Sequence, residues 1–173
     1  MKVNGNQLKS AIKLWEMRRD ALTKRFDTTF FARKEEVKDH PTKVMDELIN
    51  CESMIAVLQS AQAKYNQATT ITLNHNGSVK MSLCEGIKRV GGANRVVKLW
   101  SNQIGQPEDK YEHYRLSPSS EREVSYPERK MSIADTVTKA AEATSYATAL
   151  TGAIAMGNTR VMELPTVTEE MLK

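Results

Sequence analysis

The residues whose types and spacing best suit chemistry are Lys88, Arg89, Gly91, Gly92, Asn94 and Arg95. Glycines open backbone N–H groups to a ligand, and flanking cations neutralise its charge, so this composition recognises small anions. The run Gly86-Ile87-Lys88-Arg89-Val90-Gly91-Gly92 lacks the Gly-Lys-Ser/Thr ending of a P-loop and the strand-to-helix setting of a dinucleotide fingerprint. A glycine inside a helix costs about 1 kcal/mol relative to alanine, so two in succession imply a use. That use is either structural, a kink or the close approach of another helix, or functional. In the functional case a break would free N–H groups to bind an anion together with Lys88, Arg89 and Arg95.

Other chemistries find little support. The three histidines, His40, His75 and His113, fall in links or turns, and no GxSxG elbow accompanies them. Neither HExxH, an EF-hand loop nor paired Glu-x-x-His appears, so no catalytic residue, metal or cofactor is expected. Cys51 and Cys84 lack CxxC or Cys/His ligand spacing and read as small buried apolar residues rather than a disulfide. Nucleic acid needs a broad basic patch interleaved with aromatic rings; here Trp100 is the lone aromatic within the basic stretch, which argues against it.

The charge is nonetheless local. Lys80, Lys88, Arg89, Arg95 and Lys98 face the single acid Glu85, an excess equal to the whole chain's net charge of +4. Such a concentration is either an anion-facing surface or a solvated helix face. With 173 residues, 40% hydrophobic and 27% charged, the chain has one domain's length and a soluble composition. The segment from Ala147 to Met156 is half of the roughly 20 residues a spanning helix needs. No apolar leader follows Met1, so a cytoplasmic location and no transmembrane segment are expected.

The elements that must position the basic segment can be read from periodicity. Leu8, Ile12, Trp15, Leu22 and Phe26 form one stripe of a helix from about residue 6 to 30, with Arg19 at the missing seam position. After a charged link over residues 33–40, Pro41 opens a second helix capped by Asp39 or His40. Val44, Leu48, Cys51, Ile55, Leu58, Gln62 and Tyr65 recur as a heptad seam, predicting lengthwise packing on a partner helix. Gln62 is either a register-fixing polar layer or a side chain reaching water.

Period-two alternation around Asn76-Gly77 predicts a β-hairpin over residues 70–81 with a type I′ turn. Ser82 and Glu85 form a capping box for a third helix, with Leu83, Ile87, Val90, Asn94 and Val97 as its seam and Gly105-Gln106-Pro107 as its stop. A polar arm over residues 107–131, punctuated by Tyr111, Tyr114 and Tyr126, leads to Ser132-x-x-Asp135, which caps an alanine-rich last helix whose narrow side lets neighbours come close. Thr166 and Glu169 form a further box for a short terminal helix. The expected fold is all-α: an antiparallel bundle of about four long helices with one small hairpin. Met45, Ile49 and Met54, beside the second helix's seam, suggest a homo-oligomer, a dimer in its simplest form.

Arg18-Arg19-Asp20-Ala21-Leu22, then Glu47-Leu48-Ile49 through Ile55 to Asn66, then the turn at Gly77, give the chain's first half a look that resembles the septicolysin-like family of small bacterial helical proteins. The resemblance implies a helical bundle. The family's helix after the hairpin carries an Arg-Asp pair and no glycines, and the segment Cys84 to Arg95 departs from that pattern. The function expected from the residues is a non-catalytic binding protein that holds a small anionic ligand, such as a nucleotide or cyclic-nucleotide signal, by sequestration. Alternatives are a protein-interaction or assembly module and a septicolysin-like membrane-active protein.

Overall fold

The computed structural model describes residues 1–31, 40–105 and 129–173. The charged link and most of the polar arm, residues 107–128 of it, lie outside the described residues, as does His113. Strand β1 (Lys2–Asn4) leads into helix α1 (Gly5–Phe31), followed by α2 (Pro41–Ala68) and a hairpin of β2 (Thr70–Asn74) and β3 (Ser78–Ser82). Helices α3 (Leu83–Ile104) and α4 (Ile133–Asn158) come next, then strand β4 (Val161–Glu163) and a 3-10 turn at Glu170–Leu172. The protein is a mostly helical bundle with two small antiparallel sheets.

Helix ends fall where local hydrogen bonding can satisfy them. Asn4 and Gln7 cap α1 reciprocally, each side-chain oxygen accepting the other's backbone N–H at 2.9 Å. His40 caps α2 ahead of Pro41, its ring nitrogen accepting from the Thr42 N–H. Ser82 accepts from the Glu85 N–H at 3.1 Å, and Ser132 accepts from the Asp135 N–H at 3.0 Å. The caps at His40, Ser82 and Ser132 are those read from the sequence; the Asn4–Gln7 pair is not. The box at Thr166 and Glu169 yields only the terminal 3-10 turn, which carries no side-chain cap.

Helices α1 and α2 pack antiparallel along the seam read for α2, every member of which is buried or half-buried. Cys51 donates to the Trp15 carbonyl at 3.2 Å, and Arg25 pairs with Glu47 at 3.5 Å, fixing the register. Burial pushes the Cys51 thiol pKa up. Arg19, at the polar seam position, reaches Asp20 at 2.9 Å and Glu52 at 3.9 Å. Gln62 donates to Asn66 at 2.8 Å within its own helix, so among the described residues it does not set register across the seam.

The hairpin pairs Ile71 with Met81 and Leu73 with Val79, closing on Asn74 opposite Ser78. Its connection is therefore the three residues His75-Asn76-Gly77, with φ of 50° at Asn76 and 121° at Gly77, rather than a two-residue type I′ turn. The physical reason is register. A two-residue loop would have set Ile71 and Leu73 opposite polar partners, and the side-chain period of two forbids that on a buried face.

Four helix ends and both sheets meet at one end of the bundle. β1 pairs with β4 through Lys2–Glu163, Val3–Met162 and Asn4–Val161, a sheet that periodicity did not reveal. Tyr65, fully buried at the end of α2, places its hydroxyl 2.7 Å from both the Gly157 and Arg160 carbonyls, where α4 ends. The Leu83 N–H donates to the Thr69 carbonyl at 2.7 Å, tying the start of α3 to the end of α2. Val3, Leu8, Leu58, Ile71, Leu83 and Leu150 fill the core between these ends. No helix among the described residues is long and apolar enough to cross a membrane.

Gly157 sits against this core with no room for a side chain. A Cβ there would lie 2.5 Å from Ile71 Cγ2 and 3.2 Å from Leu83 Cδ1. Gly157→Ala is expected to destabilise the fold by about 1–3 kcal/mol through overpacking. Tyr65→Phe should cost about 1 kcal/mol by removing the buried hydroxyl's hydrogen bond at the end of α4. Urea titrations followed by far-ultraviolet circular dichroism would measure both; unchanged midpoints would show that this end of the bundle tolerates loosening.

Candidate functional site

Helix α3 runs unbroken through Gly91-Gly92, so the backbone break that would have freed N–H groups for an anion is not present. The buried face is also rotated from the expected seam. Leu83, Gly86, Val90, Ala93 and Val97 are buried or half-buried, whereas Ile87 and Asn94 are exposed. Gly86 and Ala93 occupy core positions because they admit α4 at short range, a role that apolar size alone does not signal. A Cβ on Gly86 would lie 2.6 Å from Ile71 Cδ1 and 3.4 Å from Ile154 Cγ1 of α4. The close approach expected of the alanine-rich helix thus occurs at Gly86, against Ile154, with Ala93 in the same buried core as Ala147 and Leu150. It does not occur at the Gly-Gly step.

Gly91 and Gly92 are instead a shelf for Arg95, whose guanidinium folds back along its own helix to 3.9 Å from where each glycine's Cβ would be. Among the described residues no other atom outside the helix backbone lies within 4 Å of either position. Gly91, Asn94 and Arg95 lie exposed and line neither of the grooves described next.

Two open grooves flank α3 and meet at Arg89. The first, about 440 Å³, lies between α3 and α4 and is lined by Arg89, Gly92, Ala93, Val96, Ala143 and Tyr146. Its floor is small residues, one wall is the Tyr146 ring, and a cation stands at one end. The second, about 410 Å³, lies at the start of α3 and is lined by Gln67, Ser82, Cys84, Glu85, Lys88 and Arg89. Of the six residues singled out from the sequence, Lys88, Arg89 and Gly92 therefore face grooves.

Arg89 is held in place. Its guanidinium donates to Glu85 at 2.6 Å, one helical turn back, and the neighbouring Tyr146 side chain, followed by Glu85, raises its pKa further above an already basic value. Tyr146 is braced in turn by His75 at the hairpin tip, ring centroids 5.5 Å apart and planes at 83°, an edge-on contact. Among the described residues no acid pairs with Lys88, Arg95 or Lys98. Cys84, expected to be buried, is half-exposed in the second groove, while Cys51 is buried as expected.

Tyr146, Gln67 and Val96 were not marked by sequence reasoning, and Ser82 was marked only as a helix cap. Tyr146 carried one usable signal: it is the sole aromatic ring in α4, a helix otherwise built from small residues. The glycines that face no neighbour give a direct test. Gly91→Ala is expected to raise stability by about 0.5–1 kcal/mol, since the helix gains propensity and nothing is displaced. Differential scanning calorimetry would show a higher melting temperature; a lower one would mean that Gly91 has a structural duty not visible in its surroundings.

No protein-family model matches the chain, and no curated protein matches it. Among solved structures it is similar to the crystal structure of a functionally unknown conserved protein from Corynebacterium diphtheriae, with a TM-score of 0.64 and 14% identity over 94% of this chain and 100% of that one. At that identity the likeness is one of fold.

Proposed function

We propose that this protein is a non-catalytic helical binding protein that holds a small anionic ligand at the grooves around Arg89. The observation that carries the reading is Arg89 itself, a guanidinium held by Glu85 at 2.6 Å where it lines both grooves, with Lys88 beside it. A fixed guanidinium loses little entropy when it binds, and its fork matches phosphate and carboxylate oxygens. Glu85 compensates only one of the two cations, so the second groove keeps a positive balance. Sequestration needs affinity and no catalytic group, and His40 and His75 already have structural duties as a helix cap and a ring brace.

Thermal denaturation against a panel of inorganic phosphate, pyrophosphate, nucleotides and cyclic nucleotides tests the reading. A ligand that binds only the folded state stabilises it by about 2.7 kcal/mol at a hundred times its Kd. At least one panel member should raise the melting temperature, and Arg89→Ala should weaken that binding about ten- to a hundredfold. A melting temperature indifferent to every anion would reject the proposal.

Self-association is a second reading, favoured by Ile49. Of the three apolar residues beside the α2 seam, Met45 and Met54 are half-buried, but Ile49 leaves 58% of its surface in water. We infer a homodimer with this face of α2 at its interface. Sedimentation at tens of micromolar (on the order of a weak interface's Kd) should show a dimer that Ile49→Lys dissociates. A monomer for the parent chain would remove this reading and leave anion binding untouched.

A further inference from the structure

The two grooves at Arg89 differ in chemistry, and that difference specifies the ligand more closely than charge does. We propose that they bind one molecule of two parts: a flat aromatic ring in the α3/α4 groove and a phosphate in the groove at the start of α3, a nucleoside monophosphate being the simplest such compound. The proposal rests on the anion-binding reading above and deepens it.

The ring half follows from the first groove's walls. Gly92, Ala93 and Ala143 leave a shallow apolar floor, Val96 closes one side, and the Tyr146 ring supplies an aromatic surface. Tyr146 is braced by the His75 edge contact, so it needs little reordering to receive a second ring. A guanidinium at the groove's end interacts with an aromatic ring and with a phosphate alike. A simple inorganic anion would leave this apolar half of the site unused.

The phosphate half follows from the second groove. Lys88 has no acidic partner among the described residues, and the Gln67 amide and Ser82 hydroxyl are polar groups on the groove's rim. The groove opens beside the first turn of α3, a helix of 22 residues whose positive end favours an anion there. Arg89 lines both grooves and is the natural hinge between the two halves of the ligand.

Isothermal titration of the full chain with AMP, GMP, CMP and UMP, beside ribose 5-phosphate and inorganic phosphate, tests the proposal. At least one nucleotide should bind tenfold or more tightly than ribose 5-phosphate. Gly92→Val should weaken nucleotide binding at least tenfold while leaving ribose 5-phosphate unchanged, because the new side chain points into the ring groove with every charge kept. Among the described residues only Arg95 Nη2, at 3.9 Å, lies near that position, so the variant is expected to fold, with its melting temperature as the control. Lys88→Ala should weaken nucleotide and ribose 5-phosphate together. Equal binding of nucleotide and ribose 5-phosphate, or a Gly92→Val protein that binds nucleotide as the parent does, would overturn the two-part site while leaving anion binding standing. Absence of binding by every compound, inorganic phosphate included, would overturn both.

Discussion

The structure depends on the closure made by Tyr65. A single buried hydroxyl lies within hydrogen-bonding distance of two carbonyls at the end of α4, and it does so from the end of a helix whose other face is committed to α1. Helices α1 and α2 hold each other through their long seam, and α3 and α4 do the same through small residues, but contact between the two pairs is sparse. What fixes one pair against the other is the end of the bundle where Tyr65, the Leu83 N–H and both sheets converge. Buried polar groups impose direction in a way that apolar contact does not, so this end sets the geometry that the rest inherits.

The grooves follow from that geometry and from the choice of small side chains. Gly86 and Ala93 bring α3 close to α4 along their shared face, so a shallow surface depression opens beside it, where Gly92 and Ala143 contribute no bulk. With larger residues at those positions, the helices would stand further apart and Arg89 would lose Tyr146 as its neighbour. Small residues thus serve close packing at Gly86 and Ala93 and leave a groove open at Gly92 and Ala143.

Legibility in the sequence tracked side-chain size. The α2 seam was readable because Val44, Leu48, Ile55 and Leu58 are large and apolar at heptad spacing. The α3 seam was phased wrongly because two of its buried positions are glycine and alanine, which bury well without advertising it, while exposed Ile87 looks like core. Capping boxes were legible because they are local. The hairpin's place was legible as well, but its loop length depended on which pairs shared a face. The β1–β4 sheet left no trace, being three residues long and paired across most of the chain. Of the candidate site, charge marked Lys88 and Arg89, which line grooves, yet Tyr146 belongs to another helix, and no one-dimensional pattern joins the two.

The pairing of residues 2–4 with residues 161–163 also shapes how the chain reaches its fold. Each helical pair joins helices consecutive in sequence, whereas this sheet joins segments about 160 residues apart. Loop-closure entropy places such a contact late, after the local pairs have formed. Until it forms, the apolar residues at the shared end of the bundle are only partly covered, and Val3 and Leu164 are among the last to leave water. The route to the native state is therefore a docking of two preformed halves, with the shortest strands in the molecule completing it.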